Sequence, residues 1–170
     1  MRVPTSLCGA FNGYAIIHPV YLLADKPLQS GIERIAIYLS DDGDYWTDDF
    51  KPKEFRCKCR VCKQLAPHPF SALMVARAQM IRNFLKRPTT ISSAYRCPNH
   101  NVEAKKIKKG KRPGSHSRAH ALDIKVSSGV EAGLLIQFAI TVLGCTGFSY
   151  YAKGGFVHLD WHEMVRTWNY

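Results

Sequence analysis

A histidine and an aspartate lie seven residues apart in the segment GSHSRAHALDIKV, which covers residues 114–126. His116 belongs to the polar approach to an apolar stretch, and Asp123 lies inside that stretch, which is typical of a β-strand. A loop histidine at this position is able to fold back over the start of the strand toward the carboxylate. An imidazole and a carboxylate gathered in this way are typical metal ligands.

A second group of polar side chains occurs near the end of the chain, in the segment FVHLDWH at residues 156–162. Side chains alternate between the two faces of a strand, so His158, Asp160 and His162 should share one face with Phe156. The remaining side chains of the segment are apolar and take the other face. The pattern predicts a strand with one polar side.

Together, His116, Asp123 and His158 supply two imidazoles and one carboxylate, a set typical of a catalytic rather than a structural zinc site. Three protein ligands leave the fourth position of one Zn²⁺ ion to water, which ionises near neutral pH. The metal also polarises a carbonyl group, so hydrolysis is the predicted chemistry. The alternative is that these are ordinary hydrogen-bonded residues, since the chain contains seven histidines.

The elements that would position these side chains are indicated by hydrophobic periodicity and turn residues. Leu73, Ala76, Met80 and Phe84 recur at helical spacing before Pro88. The predicted elements are a helix over 69–86, strands over 89–95 and 121–126, a helix over 129–143, and a closing hairpin with strands over 147–151 and 156–161. This order predicts an α+β fold with a small, mainly antiparallel sheet and packed helices.

Residues 1–46 mix short apolar runs with Gly and Pro and end in an acidic turn at residues 41–44. We expect a strand-and-loop extension of unknown role, followed by the main domain over residues 47–170. With 170 residues, 46% of them hydrophobic, the chain can build its own core and is expected to be a monomer. It shows no stretch of about 18 apolar residues for a membrane span and no clear export signal.

The formal net charge of +11 predicts attraction to polyanions such as nucleic acid or the anionic polymers of a cell envelope. Charge alone does not choose among them. The densest basic cluster, KKIKKGKR at residues 105–112, contains a glycine and precedes Pro113 and Gly114. We therefore expect an exposed loop rather than a helix face, whose simplest role is solubility.

The six cysteines leave the redox compartment open. Cys57, Cys59 and Cys62 could form a structural zinc site with Cys97, but their spacing is a weak finger pattern. Disulfides or free thiols are the favoured interpretation. Cys8 and Cys145 are isolated in the sequence, and the apolar surroundings of Cys145 predict a buried thiol.

Several motifs resemble those of the zinc D-Ala-D-Ala carboxypeptidase family of peptidoglycan peptidases. GSHSRAHALD resembles the family signature Ser-x-His-x-x-Gly-x-Ala-x-Asp, and FVHLDWH resembles its closing histidine motif. ISSAYRCPNHN, residues 91–101, is similar to the Ser-Gly-Tyr-Arg segment, and FKPKEFRCKC, residues 50–59, resembles the opening of the phage and bacterial branch. The resemblance covers residues 50–162, with the motifs in the family's order, and implies the metal-binding fold that the family shares with hedgehog domains.

The resemblance implies roles for individual residues. It makes His116, Asp123 and His158 the zinc ligands, and it gives Arg96 the task of holding the substrate carbonyl or carboxylate, which suits a planar fork of donors. Gly114 replaces the first serine of the signature, which puts substrate binding at that position in doubt. Ser115 is the candidate for the missing hydroxyl. In addition, Ala119 stands where the signature has glycine.

The catalytic base is a separate question. Several family members have an acidic residue three positions before the last ligand, where this chain has Gly155. Asp160 is therefore the candidate for activating the zinc-bound water, with His162 as its substitute. The alternative role for Asp160 is to orient a ligand histidine.

The predicted function is hydrolysis of a peptide bond in the stem peptide or cross-link of peptidoglycan, by a zinc carboxypeptidase or endopeptidase. A phage lytic enzyme, or endolysin, and a host enzyme of the same class both fit this prediction, with the cell wall or periplasm as the site of action. Two alternatives are a metal-stabilised binding domain without catalysis and, with less support, a basic nucleic-acid-binding module. We expect peptidoglycan as partner and no specific nucleic acid, and the bond that is cut stays open.

Overall fold

The computed structural model describes residues 15–17, 35–65, 67–162 and 166–167. The strands in this part of the chain are β1 Ala15–Ile17, β2 Ile37–Leu39, β3 Tyr45–Trp46, β4 Ile91–Ser93, β5 Ala121–Lys125, β6 Gly147–Tyr151, β7 Phe156–Asp160 and β8 Arg166–Thr167. The α-helices are α1 Pro52–Phe55, α2 Ala72–Leu85, α3 Asn101–Lys108 and α4 Gly129–Thr141. Two 3-10 turns cover Ser115–Arg118 and Ala152–Gly154.

The main sheet has five strands in the order β4-β5-β7-β6-β8. Neighbouring strands are antiparallel except for β6 and β8, which pair in parallel. Strands β1, β2 and β3 form a second, three-stranded antiparallel sheet. The predicted α+β fold with a small, mainly antiparallel sheet is confirmed.

The core lies on one face of the main sheet. Leu122 and Ile124 of β5 and Val157 and Leu159 of β7 are fully buried, as strand alternation predicts, and α4 packs against β6 and β7. Burying each of these side chains contributes roughly 1.5–3 kcal/mol. The polar residues between them must therefore point to the opposite face of the sheet.

Helices α2 and α4 begin at serine caps. The Ser71 hydroxyl accepts a hydrogen bond from the Met74 N–H, and the Ser128 hydroxyl accepts one from the Glu131 N–H. Both helices lie inside their predicted ranges. Helix α2 begins three residues later and ends one residue earlier than predicted, and α4 ends two residues earlier. The two helices also contact each other through the stacked rings of Phe84 and Phe138, whose centroids are 4.2 Å apart.

The prediction of a loop for residues 105–112 is wrong for its first half, because the run begins inside α3. The His100 side chain caps this helix by accepting a hydrogen bond from the Val102 N–H. Glu103 is fully buried and anchors the helix, since its carboxylate accepts hydrogen bonds from the Gly114 N–H and the Lys106 ammonium group. These cap and anchor contacts, rather than the basic side chains, determine the local structure.

The described part of the N-terminal extension is tied to the residues that follow it. Gly43, at φ 81°, turns the chain within the predicted acidic turn. The buried Asp44 carboxylate accepts hydrogen bonds from the Arg56 side chain at 2.7 Å and from the His68 N–H at 2.9 Å. The proposed boundary at residue 47 stays a prediction. Among the described residues, none of the helices has the length and apolar character needed to cross a membrane.

Candidate metal centre

Three side chains from two strands and a turn meet on the polar face of the main sheet. The register of β5 and β7 places Asp123 directly opposite His158, and His116 reaches them from the 3-10 turn. His116 Nε2 lies 3.2 Å from both Asp123 Oδ1 and His158 Nδ1, and the last two atoms are 2.7 Å apart. All three residues are buried. The three ligands predicted from the sequence thus come together at one point.

The outer contacts of the histidines define which atoms face this point. His116 Nδ1 lies 2.6 Å from the Ala94 carbonyl oxygen, which only accepts, so Nδ1 carries the proton and Nε2 presents a lone pair. His158 has a carboxylate at each ring nitrogen, with Asp123 at Nδ1 and Asp160 at Nε2. Its Nδ1 therefore faces a place that a proton or a metal cation must fill.

The donor set fits a zinc ion. A tetrahedral Zn²⁺ with bonds of about 2.0 Å holds its ligand atoms about 3.3 Å apart. The observed separations of 2.7–3.2 Å are close to this value. Two imidazoles and one carboxylate also match the ligand types of catalytic zinc sites and leave one coordination position for water or substrate.

The pKa values of the three residues reflect their burial and their mutual contacts. Burial lowers the pKa of His116, which keeps the ring neutral. Burial also acts to raise the pKa of Asp123, but its contacts with both histidines outweigh burial and hold the pKa well below the usual range. Burial acts to lower the pKa of His158, but its contacts with Asp123 and Asp160 outweigh burial and raise it.

Arg96 lies beside the cluster, just after β4. Its Nη2 donates to Asp123 Oδ2 at 2.6 Å, and its Nε donates to the Ser93 hydroxyl at 2.8 Å. The second oxygen of Asp123 is thereby occupied, and Oδ1 stays directed at the histidines. Arg96 also lines a cleft of about 380 Å³ together with Tyr95 and His100.

Asp160 lies behind His158 rather than in front of the cluster. Its Oδ2 is 3.5 Å from His158 Nε2, which is the ring nitrogen on the side away from Asp123 Oδ1. The Ser115 hydroxyl donates to the same oxygen at 2.8 Å and lies 2.9 Å from His162 Nε2. The Asp160 side chain has no exposed surface. The structure therefore groups Ser115, Asp160 and His162 around the rear of the His158 ring.

Gly147 on β6 makes room for this carboxylate. The residue is paired with Asp160 across the sheet, and a Cβ atom at position 147 would overlap the Asp160 side chain. Gly147 was not among the predicted site residues, because a lone glycine in a strand is a weak signal of close approach. Ser93 was also missed as the partner of Arg96, although the two are three residues apart in the segment ISSAYR.

The cysteines predicted as disulfides or free thiols are all free in the described part of the chain. Cys145 is a buried thiol, as predicted, and burial raises its pKa to about 11. Cys8 lies outside the described residues. The other four described cysteines, residues 57, 59, 62 and 97, form a second group whose ligand atoms lie within 4.8 Å of one another.

Comparison with known proteins identifies one related family. A family model described as Peptidase M15 matches residues 48–160, which is more than half of the chain and includes both clusters. Neither the curated proteins nor the solved structures yielded a match.

Proposed function

Because the chain belongs to the Peptidase M15 family of zinc metallopeptidases, we propose that it hydrolyses a peptide bond in the stem peptide or cross-link of peptidoglycan. The observation that carries the proposal is the convergence of His116 Nε2, Asp123 Oδ1 and His158 Nδ1, three acceptor atoms within 3.2 Å of one another. When bound there, Zn²⁺ would lower the pKa of a water molecule and polarise the scissile carbonyl.

The role proposed for Arg96 is to bind the substrate at the edge of the ligand set. The guanidinium is held by Ser93 and Asp123, and it borders the cleft that reaches Asp123. A planar cation fixed in this position suits a carbonyl oxygen on which negative charge develops, or a terminal carboxylate. Arg96 would also orient Asp123 by holding its Oδ2 atom.

For Asp160 the geometry favours the orienting role over the role of base. The carboxylate is enclosed by Ser115 and His162 and faces His158 Nε2. A carboxylate behind a ligand histidine fixes the ring orientation and its protonated nitrogen, which strengthens the other nitrogen as a ligand. His162 contacts the same Ser115 hydroxyl, so we infer that both residues support His158 from behind.

Ser115 takes part in this supporting group. Its hydroxyl is directed at Asp160 and His162, so the structure supports a positioning role more directly than the substrate contact predicted from the sequence. The peptide backbone around Ser115 forms the 3-10 turn that presents His116. A change at Ser115 would therefore affect the metal centre through two routes.

The basic surface is consistent with a substrate in an anionic envelope. The last turn of α3 and the residues after it expose Lys105, Lys108 and Lys109, and the start of the same helix borders the cleft at Val102. Positive potential near a cleft raises the local concentration of an anionic polymer. We propose the cell wall or periplasm as the site of action, and a monomer as the active form.

Digestion of purified peptidoglycan tests the proposal. The zinc-loaded protein should release fragments whose new termini, read by mass spectrometry, identify the bond that is cut. The His116→Ala variant should lose this activity, whereas Gln137→Ala, on the exposed side of α4, should keep it. Equal rates for wild type and His116→Ala would contradict the proposal, and zinc binding without turnover would favour a non-catalytic binding domain.

A further inference from the structure

We propose that Cys57, Cys59, Cys62 and Cys97 bind a second Zn²⁺ ion, which serves a structural role and is independent of the histidine and aspartate centre. The four residues come from two separate segments, one after α1 and the other after β4. Cys57 and Cys97 are buried, and Cys59 and Cys62 are partly exposed. Four thiols at one point match the ligand set of a closed, structural zinc site.

The distances between the sulfur atoms support a shared ion. Cys59 Sγ lies 3.3 Å from Cys62 Sγ and 3.5 Å from Cys97 Sγ. A tetrahedral site with zinc–sulfur bonds of about 2.3 Å holds its sulfurs about 3.8 Å apart. Each of the four residues contributes a sulfur within 4.8 Å of the other three, so one ion could contact all four after small side-chain adjustments.

The backbone around the cluster is arranged to accommodate thiolates. The Cys62 N–H donates to Cys59 Sγ at 3.4 Å. This hydrogen bond is the main cause that lowers the pKa of Cys59. Burial raises the pKa values of Cys57, Cys62 and Cys97, but a backbone N–H group also approaches each of these sulfurs and acts in the opposite direction. Such hydrogen bonds stabilise negative charge on sulfur and are typical outer contacts of a metal site.

A tight turn closes the cysteine segment. Lys63 and Gln64 both have positive φ angles, 46° and 62°, and the Lys63 N–H donates to the Cys59 carbonyl oxygen at 3.0 Å. Neither residue type favours this conformation, so the turn has an energetic cost. A bound ion that joins Cys59 and Cys62 would offset this cost.

The charge balance of the segment favours the same ion. Binding of Zn²⁺ to four thiols releases four protons and leaves a centre with a net charge of −2. The chain places Lys58, Arg60 and Lys63 between and after the cysteines. These cations would compensate the negative centre, whereas four neutral thiols would leave them without that partner.

The ion would connect two segments that border the cleft. Tyr95 N–H donates to the Phe55 carbonyl oxygen, and the Lys58 ammonium group donates to the Ile91 carbonyl oxygen at 2.6 Å. Cys97 directly follows Arg96, and Lys58 lines the cleft. A structural zinc here would therefore fix the chain directly after Arg96 and join it to the segment of Lys58, without taking part in the reaction.

Metal content distinguishes the two sites. The full chain, purified in zinc under reducing conditions, should contain two zinc ions, and both His116→Ala and Cys62→Ser should contain one. Cys145→Ser is the matched control, since this buried thiol lies outside the cluster, and it should keep both ions. A single zinc ion in wild type that His116→Ala removes would overturn the proposal, as would iron at the cysteines.

Cobalt substitution gives a readout that does not depend on a foldable cysteine variant. Co²⁺ bound by four thiolates gives strong sulfur-to-metal charge-transfer absorption in the near ultraviolet, which a centre of imidazoles and a carboxylate lacks. The band should be present in wild type and in His116→Ala. Absence of the band from both proteins would contradict the proposal. The proposal would also be wrong if mass spectrometry detected two disulfides in freshly reduced and metal-loaded protein.

Discussion

His158 Nδ1 lies 2.7 Å from Asp123 Oδ1, because the antiparallel register of β7 and β5 pairs these two residues directly. Asp160 approaches the other nitrogen of the same ring. The imidazole is thus held between two carboxylates, one in the predicted ligand set and one behind it. The affinity for a metal should therefore depend also on Asp160, which does not need to contact the metal.

Replacing Asp123 tests the ligand set. Asp123→Asn keeps the size of the side chain and removes the negative charge, so zinc affinity at this centre should fall by at least about 100-fold. The ion pair with Arg96 is lost at the same time. Titration with zinc, measured calorimetrically, gives the affinity, and Gln137→Ala provides the control. Unchanged affinity in Asp123→Asn would exclude the carboxylate as a ligand.

Replacing Asp160 separates the orienting role from the role of base. Asp160→Asn should weaken zinc binding about 10–100-fold, because it weakens the hold on His158 Nε2. At saturating zinc the pH–rate profile should keep its acid limb, since the residue does not take the proton from water. If zinc affinity stays unchanged while the acid limb disappears, Asp160 is the base instead.

Zinc binding should weaken in mild acid. The two carboxylates raise the pKa of His158 against the effect of burial, so its imidazolium form persists above the ordinary value of about 6.5. A proton on Nδ1 excludes the metal, so the apparent affinity should fall as the pH falls through this raised pKa. Zinc titrations across this range measure the midpoint. Asp160→Asn should move the midpoint to lower pH, and a midpoint below 6.5 in wild type would contradict the expectation.

Gly147→Ala should destabilise the protein and disturb the metal centre. The new methyl group would overlap the buried Asp160 carboxylate, and such overpacking costs about 1–3 kcal/mol. Gly133→Ala is the matched control, because no atom lies within 4 Å of the added Cβ and alanine favours the α4 helix. Urea denaturation should show a lower free energy of unfolding for Gly147→Ala. For Gly133→Ala the free energy of unfolding should be higher, by up to about 1 kcal/mol. Equal stability of wild type and Gly147→Ala would show that Asp160 is free to move.

The ion pair between Arg87 and Glu131 should make stability dependent on pH. The guanidinium contacts both carboxylate oxygens, at 2.6 and 2.7 Å, and holds the pKa of Glu131 at about 2. Because the folded pKa lies below the unfolded value of about 4.3, the stabilisation is complete above that value and is lost as the pH falls toward 2.

Glu131→Gln measures this contribution. The free energy of unfolding should decrease by about 1–2 kcal/mol at neutral pH, a modest value because the pair is partly exposed. The difference between wild type and variant should shrink as the pH falls from about 4 to about 2. A constant difference over this range would assign the effect to lost packing rather than to charge.

The local patterns of the sequence determined the elements and the polar faces of the strands. Leu122, Ile124, Val157 and Leu159 alternate with polar residues, and strand geometry alone sends the two sets to opposite sides. Serine caps and apolar spacing likewise place α2 and α4 close to their predicted ranges. These features depend on residues a few positions apart, so they can be read without knowledge of the fold.

The tertiary structure decided how distant segments meet. Nothing local indicates that Asp123 pairs with His158, that Asp160 turns to the rear of the ring, or that Cys97 joins a cluster 35 residues or more away in sequence. Register is set by the burial of both strands at once, and a shift of one residue would move every side chain to the other face. Long-range pairing therefore converts a list of candidate residues into a centre with defined distances.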